Sequence, residues 1–192
     1  MRYPFRRWAG LLTSSLLLTC VAGATSVPQL SFEELIDHSD LIVSGQVTRS
    51  WAEWDSEHKF IWTHYEVAVS AAHKGTPGAT AVVSEVGGIV GDRGMSVAGT
   101  VGYQTGEKVL VFLTRVPNGY LRTTGWGQGK YTVDEKNILH ASASLRSIEI
   151  VQGKGTATGT PIRTLEGMSS AELHNRIAAR LRSQQPAQGS TR

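Results

Sequence analysis

GWGQGKYTV, residues 125–133, decides between two folds. As a phosphate cradle, its alternate glycines and lysine would announce a nucleotide-binding α/β protein. As the entry to a strand, they place the chain among β proteins. A phosphate loop of the Walker type needs four residues between its first glycine and the Gly-Lys pair, then Ser or Thr, then a helix that aims backbone amides at phosphate. Here Gly125 and Gly129 bracket only three residues, Lys130 is followed by Tyr131, and Tyr131-Thr132-Val133 is strand-like. Gly106-Glu107-Lys108 fails in the same way. The spacing predicts Gly125, Gly127 and Gly129 on one side of an extended chain, where missing side chains admit a neighbouring strand. A sheet seam is expected, and no nucleotide.

Upstream of that seam the sequence alternates with period two. In LIVSGQVTRSW, Leu41, Val43, Gly45 and Val47 face one way and Ser44, Gln46 and Thr48 the other. After the polar turn AEWDSEHK, the stretch FIWTHYEVAVS predicts a second strand. Its inward face is Ile61, Thr63, Tyr65, Val67 and Val69, and its outer face is Trp62, His64 and Glu66. AVVSEV (81–86) is a third strand. KVLVFL (108–113), apolar on both faces, is a buried one. Between these two lies a glycine-rich connection, 87–107, too long for a hairpin and read either as a contact surface with Asp92 and Arg93 at its tip or as a flexible connector. Pro117-Asn118-Gly119 marks a turn.

Helices are expected at both ends. Ser31 and Glu34 stand at capping-box spacing with Phe32, Leu35 and Ile36 on one face, and the acids Glu33, Glu34 and Asp37 suit a helix N-terminus. Ser169 and Glu172 repeat the box before Leu173, Ile177 and Leu181. The expected fold is mainly β: an OB-like barrel of five to six strands with a short N-terminal helix and a C-terminal helix. Its organisation is a signal at 1–24, a β-barrel domain at 25–150, a linker at 151–165, the helix at 166–182 and a disordered tail at 183–192.

The first residues read as a secretory signal: Arg2, Arg6 and Arg7, an apolar run, then Ala22-Gly23-Ala24 as the cleavage site. The run is shorter than the roughly 20 apolar residues that span a bilayer. The chain carries 19 Lys and Arg against 16 Asp and Glu, a net charge of +3. Three arginines and no acid leave with the signal, giving 16 against 16 (19 − 3 = 16), so no basic surplus points to nucleic acid. The single cysteine, Cys20, lies within the signal. Lipidation at Cys20 is the lesser reading, because Thr19 replaces the small residue expected before a lipidated cysteine. The mature chain then has no disulfide and no thiolate ligand. It is expected in a periplasm or outside the cell, without a transmembrane span.

Taken together, SDLIVSGQV (39–47), THYEVAVSAAHKG (63–75), Gly87-Gly88, YQTGEKVLVFL (103–113) and GWGQGKYTV resemble a group of uncharacterised secreted bacterial proteins. The order is also similar to the netrin-like module of the tissue inhibitors of metalloproteinases, with Lys74-Gly75 and Gly106-Glu107 at the matching positions. That resemblance implies a five-stranded OB-type barrel and, by analogy, control of a secreted protease. Those inhibitors chelate catalytic zinc through an N-terminal cysteine, and the mature chain here has none. An inhibitory residue is therefore not carried over.

Catalytic patterns are sparse. No His-Glu-x-x-His and no Gly-x-Ser-x-Gly occurs. His64 and Glu66 share a strand face about 7 Å apart at strand spacing, with His58 on the neighbouring turn, and carry the minor reading of a hydrolase. Glu53, Asp55 and Glu57 lie in that turn and are expected to keep it solvated. No cofactor and no metal are expected. Trp51, Trp54 and Trp62 flank one hairpin turn, either as an exposed binding face or covered by a helix. With His64, Asp92 and Arg93 they are the candidate contact residues of a non-catalytic module that recognises an extracytoplasmic protein or glycan.

Overall fold

Period-two alternation becomes a strongly connected sheet. A computed structural model describes residues 26–142, 149–151 and 165–184. The expected signal with Cys20, Ala22 and Ala24, residues 152–164 of the linker and the chain beyond residue 184 lie outside the described residues. In order come β1 (Ser26–Pro28), α1 (Phe32–Asp37), β2 (Leu41–Trp54), β3 (Ile61–Lys74), β4 (Thr80–Val86), β5 (Gly88–Val90), β6 (Arg93–Met95), β7 (Lys108–Arg115), β8 (Leu121–Thr123), a 3-10 turn (Trp126–Gly129), β9 (Lys130–Val133), β10 (Leu139–Ala141), β11 (Glu149–Val151) and α2 (Ser170–Gln184). Among the described residues no helix is long and apolar enough to cross a membrane.

Seven strands form one mixed sheet in the order β10-β9-β7-β2-β3-β4-β8. Strand β8 also pairs antiparallel with β7 and meets β4 in parallel at Val83–Leu121, so β7, β2, β3, β4 and β8 close a five-strand ring of hydrogen bonds. Strands β1 and β11 form a separate parallel pair, and β5 and β6 a small hairpin.

Two cores follow from the two faces of β7. Val109, Val111 and Leu113 pack with Val43, Val47, Val67 and Val83 inside the ring. Leu110 and Phe112 face outward and pack with Ile42, Tyr131 and Leu139 beneath Phe32, Leu35, Ile36, Leu173 and Ile177 of the helices. A strand buried on both sides has no polar face to show, which is why KVLVFL lacks alternation.

The N-terminal capping box is complete: Glu34 N–H donates to Ser31 Oγ at 3.2 Å, and Ser31 N–H donates to Glu34 Oε2 at 2.7 Å. Asp37 corrects the sequence reading. It is the last residue of α1, at the unfavourable end of the dipole, and is compensated by Arg180 of α2, which holds its carboxyl below the usual range. Helix α2 starts at Ser170 rather than 166, after the left-handed Gly167 (φ +77°), and runs through Ser183 and Gln184, two residues expected in the tail. Only half of its box forms: Ser169 Oγ accepts from Glu172 N–H, while the Glu172 carboxylate pairs with Arg176.

Two further expectations change. Residues 126–129 are a 3-10 turn, not an extended chain, so the three glycines do not share a strand face. The demand for close approach stands at Gly129, where a Cβ would lie 2.5 Å from Thr124 O and 3.0 Å from Phe112 O. The connection 87–107 is also no flexible connector throughout. It carries the β5–β6 hairpin and sends Val101 and Tyr103 into the inner core.

Candidate functional site

Each motif that suggested ligand chemistry has a structural occupation. Lys130, the lysine of the apparent cradle, turns inward and donates to both oxygens of Glu107 (2.9 and 2.8 Å) and to Gly102 O, its ammonium 4.5 Å from the centre of the Tyr103 ring. The Gly-Lys and Gly-Glu motifs thus complete one ion pair. Lys74 donates to Ile36 O at 2.7 Å, capping the carbonyl end of α1, and left-handed Gly75 lets the chain pass Asp40.

The hairpin of β2 and β3 positions the candidate contact residues. Strand β7 pairs with β2 only from Leu41 to Gln46, so the outer half of the hairpin extends beyond it. Its ladder places Trp51 opposite His64 and Glu53 opposite Trp62, hence on one face. The other face, with Ala52, Ile61 and Thr63, is covered by the base of β5: Gly87 N–H donates to Ile61 O and Thr63 Oγ to Gly87 O. Trp54, three residues from Trp51, falls on that second face and stacks on His58 at the hairpin end (6.2 Å, 18°). The three tryptophans therefore do not form one cluster.

Trp51 and Trp62 instead join residues just before β8, on it and in the turn after it. The His64 ring stacks on Trp51 at 5.2 Å and 25°, and Tyr120 meets both His64 (5.3 Å) and Trp62 (5.1 Å) edge-on. The guanidinium of Arg49 lies 4.7 Å from the Trp51 ring centre, and that of Arg122 lies 5.7 Å from Trp62 and 5.2 Å from Trp126. The result is a continuous row, Arg49–Trp51–His64–Tyr120–Trp62–Arg122–Trp126, in which cations lie over ring faces. Its four large aromatic residues are half-buried. Gly125 and Trp126 are both left-handed (φ +61° and +59°), a strained geometry for a bulky residue.

His64 is the fixed centre of the row. The alternation puts it on the outer strand face, yet it is 3 % exposed, because Trp51 and Tyr120 cover it. Its Nδ1 lies 2.8 Å from Ser84 Oγ, and its Nε2 lies 3.3 Å from Glu53 Oε1 without the alignment of a hydrogen bond. Burial pulls its pKa below the usual imidazole range, and Glu53 offsets part of that shift. Glu66, the expected partner of His64, is taken by Arg49 and Thr48. The acid-base pair anticipated for a hydrolase is not assembled. Asp55 closes the turn by accepting from Lys59 and Phe60 N–H, and Glu57 pairs with Lys59. Asp92 and Arg93 sit at the exposed end of the β5–β6 hairpin, paired with each other at 4.0 Å.

Sequence reasoning missed Arg49, Glu85, Tyr120, Arg122 and Trp126. Glu85, 1 % exposed, accepts from Thr123 N–H at 2.8 Å and pairs with Arg122 at 3.2 Å, thereby orienting Arg122 toward the two tryptophans. Burial pushes its carboxyl up, and the charge of Arg122 pulls it back in part. One signal was available: Glu85 is the lone charged residue in a mostly apolar strand. Among the described residues no cluster of three or more His, Cys, Asp or Glu could hold a metal ion. No protein-family model matches the chain, and a search of the curated proteins finds no relative.

Proposed function

We propose that this chain is an exported, non-catalytic binding module that engages an extracytoplasmic protein or glycan through the Arg49–Trp126 row. The observation that carries this reading is the row itself, with half-buried rings and an exposed Arg49. Large aromatics alternating with arginines, held by a buried histidine and a buried carboxylate, are the composition of contact hot spots. The same proposal takes the five-strand ring as an OB-like barrel. Its strands close in the order β2-β3-β4-β8-β7 with one parallel pair, and such barrels offer the face of their second and third strands to oligomeric ligands. Both Trp62 and His64 lie on the second strand of the ring, β3.

The test uses residues 25–192 as bait against the exported fraction of the producing cell and against a glycan array. Parallel variants are Trp62→Ala and the double substitution Arg49→Glu, Trp126→Ala; the latter keeps the cover over His64. One ligand retained by the wild type and lost by both folded variants is expected. Equal retention by both variants would dismiss the row as the contact face. A protease as that ligand would move the regulator reading, implied by the netrin-like resemblance, to first place. Turnover that copurifies with the chain and disappears in His64→Gln would replace the module with an enzyme.

A further inference from the structure

The β2–β3 hairpin leaves one of its edges bare. Strand β7 pairs with β2 only from Leu41 to Gln46, and Val47 ends that contact by donating to Glu107 O and accepting from Gly106 N–H. The β2–β3 ladder then shifts between Val47 and Arg49, an extra residue that reverses which backbone groups face outward. Past the shift, Asp55 N–H donates across the hairpin to Phe60 O, and Trp54 stands opposite Ile61. Antiparallel alternation therefore turns the backbone groups of Arg49, Trp51 and Glu53 toward β3. It turns the N–H and C=O of Ser50, Ala52 and Trp54 away. Among the described residues no strand pairs with that side. The base of β5 lies over the face of the hairpin, at Ala52 and Thr63, not along this edge. The stretch 50–54 also carries neither Lys nor Pro, residues that commonly block such an edge.

We propose that two copies of this chain pair antiparallel along this edge, about a two-fold axis at Ala52. In that register Ser50 faces the partner's Trp54, and Ala52 faces the partner's Ala52. Each such pair exchanges two hydrogen bonds, so every outward N–H and C=O of the three residues is satisfied. With the axis at Trp51 or Glu53, Trp54 would meet the bulge at Thr48 or Ser50 the turn at Ser56, leaving groups unpaired. Charge favours the same register. Alternation places Arg49, Trp51, Glu53 and Asp55 on the face of the aromatic row, and the two-fold sets Arg49 opposite the partner's Asp55 and Trp51 opposite the partner's Glu53. Arg49 binds Glu66 through Nε and Nη2, leaving Nη1 without a partner among the described residues. Asp55 closes its turn through Oδ1, leaving Oδ2 likewise. Opposite charges at directly facing positions attract. Because the two-fold stands perpendicular to the sheet, both aromatic rows come to lie on one face. The pairing holds whatever ligand that face takes. An edge of this length is a small contact, so the dimer should be weak, with a Kd on the order of tens of micromolar.

The experiment is sedimentation equilibrium on residues 25–192 over about 1–200 µM, a range that spans such a Kd, with amide hydrogen exchange by nuclear magnetic resonance at both ends. The expected result is a monomer–dimer equilibrium, with the Ser50, Ala52 and Trp54 amides protected in the concentrated sample alone. The Trp51 and Glu53 amides, already bonded to β3, should not change. Ala52→Pro removes the central N–H at an edge position where proline is tolerated, and should abolish the dimer. Arg49→Glu sets like charges opposite one another and should weaken it about tenfold. A monomer throughout the range overturns the proposal. So does a dimer in which the three alternate amides stay unprotected, a readout that needs no variant. Protection of those amides only after the exported fraction is added would give the edge to another protein's strand, and self-pairing would fall.

Discussion

Three histidines of one chain meet three environments, and their titration separates them. His64 is buried between aromatic rings, so burial disfavours its charged form. His140 is bracketed at the surface by Asp134 (3.2 Å) and Glu166 (3.1 Å), and hydrogen bonds to these carboxylates raise its pKa above the ordinary imidazole value of 6.5. Nuclear magnetic resonance of the ring protons should show His64 titrating below His140, and Asp134→Asn together with Glu166→Gln should return His140 toward 6.5 without moving His64. The signs for stability are opposite. The contribution of His140 is complete below its unfolded pKa and is lost as pH rises through its higher folded value. That of His64 is present above its unfolded pKa and lost as pH falls through its lower folded value. His73 is the third case, already committed through both ring nitrogens.

Among the elements, β7 carries the most consequence per residue because both its faces are core. Phe112 packs edge-on against Phe32 of α1 and Tyr131 of β9. Phe112→Ala should cost about 3–5 kcal/mol, read as a shift of the urea midpoint, and the loss should expose α1 and α2 to hydrogen exchange before the ring. Val111→Ala, one residue away on the inner face, should instead loosen the ring strands first. The same exchange pattern from both substitutions would mean that the two cores unfold as one. This division was partly legible: capping residues and apolar spacing located both helices, and the unbroken apolar run 109–113 of β7 announced two buried faces. The exact entry to β9 was not, since Trp126 and Gly125 take left-handed angles that no period in the sequence encodes.

In the whole molecule, the ring closes at its weakest point through a side chain. Strands β4 and β8 share a single parallel pair, Val83–Leu121, and Glu85 supplies what the ladder lacks by accepting Thr123 N–H and holding Arg122. Glu85→Ala should speed exchange of the Thr123 amide and open the β4–β8 seam, with Glu85→Gln intermediate because an amide oxygen still accepts that hydrogen bond. Unchanged Thr123 exchange in Glu85→Ala would return closure to the backbone alone. Because Arg122 lies beside Trp62 and Trp126, the seam and the candidate contact row should loosen together. By itself the sequence determined what depends on neighbours along the chain: strands at period two, helices at capped apolar spacing, and the rejection of a phosphate loop by residue count. Only the tertiary structure decided that Trp54 leaves the row while Trp126 joins it, that His64 is covered and faces Glu53, and that His73 meets His174. Those outcomes depend on cross-strand register and on which strand closes the ring, and such contacts join residues that no local pattern couples.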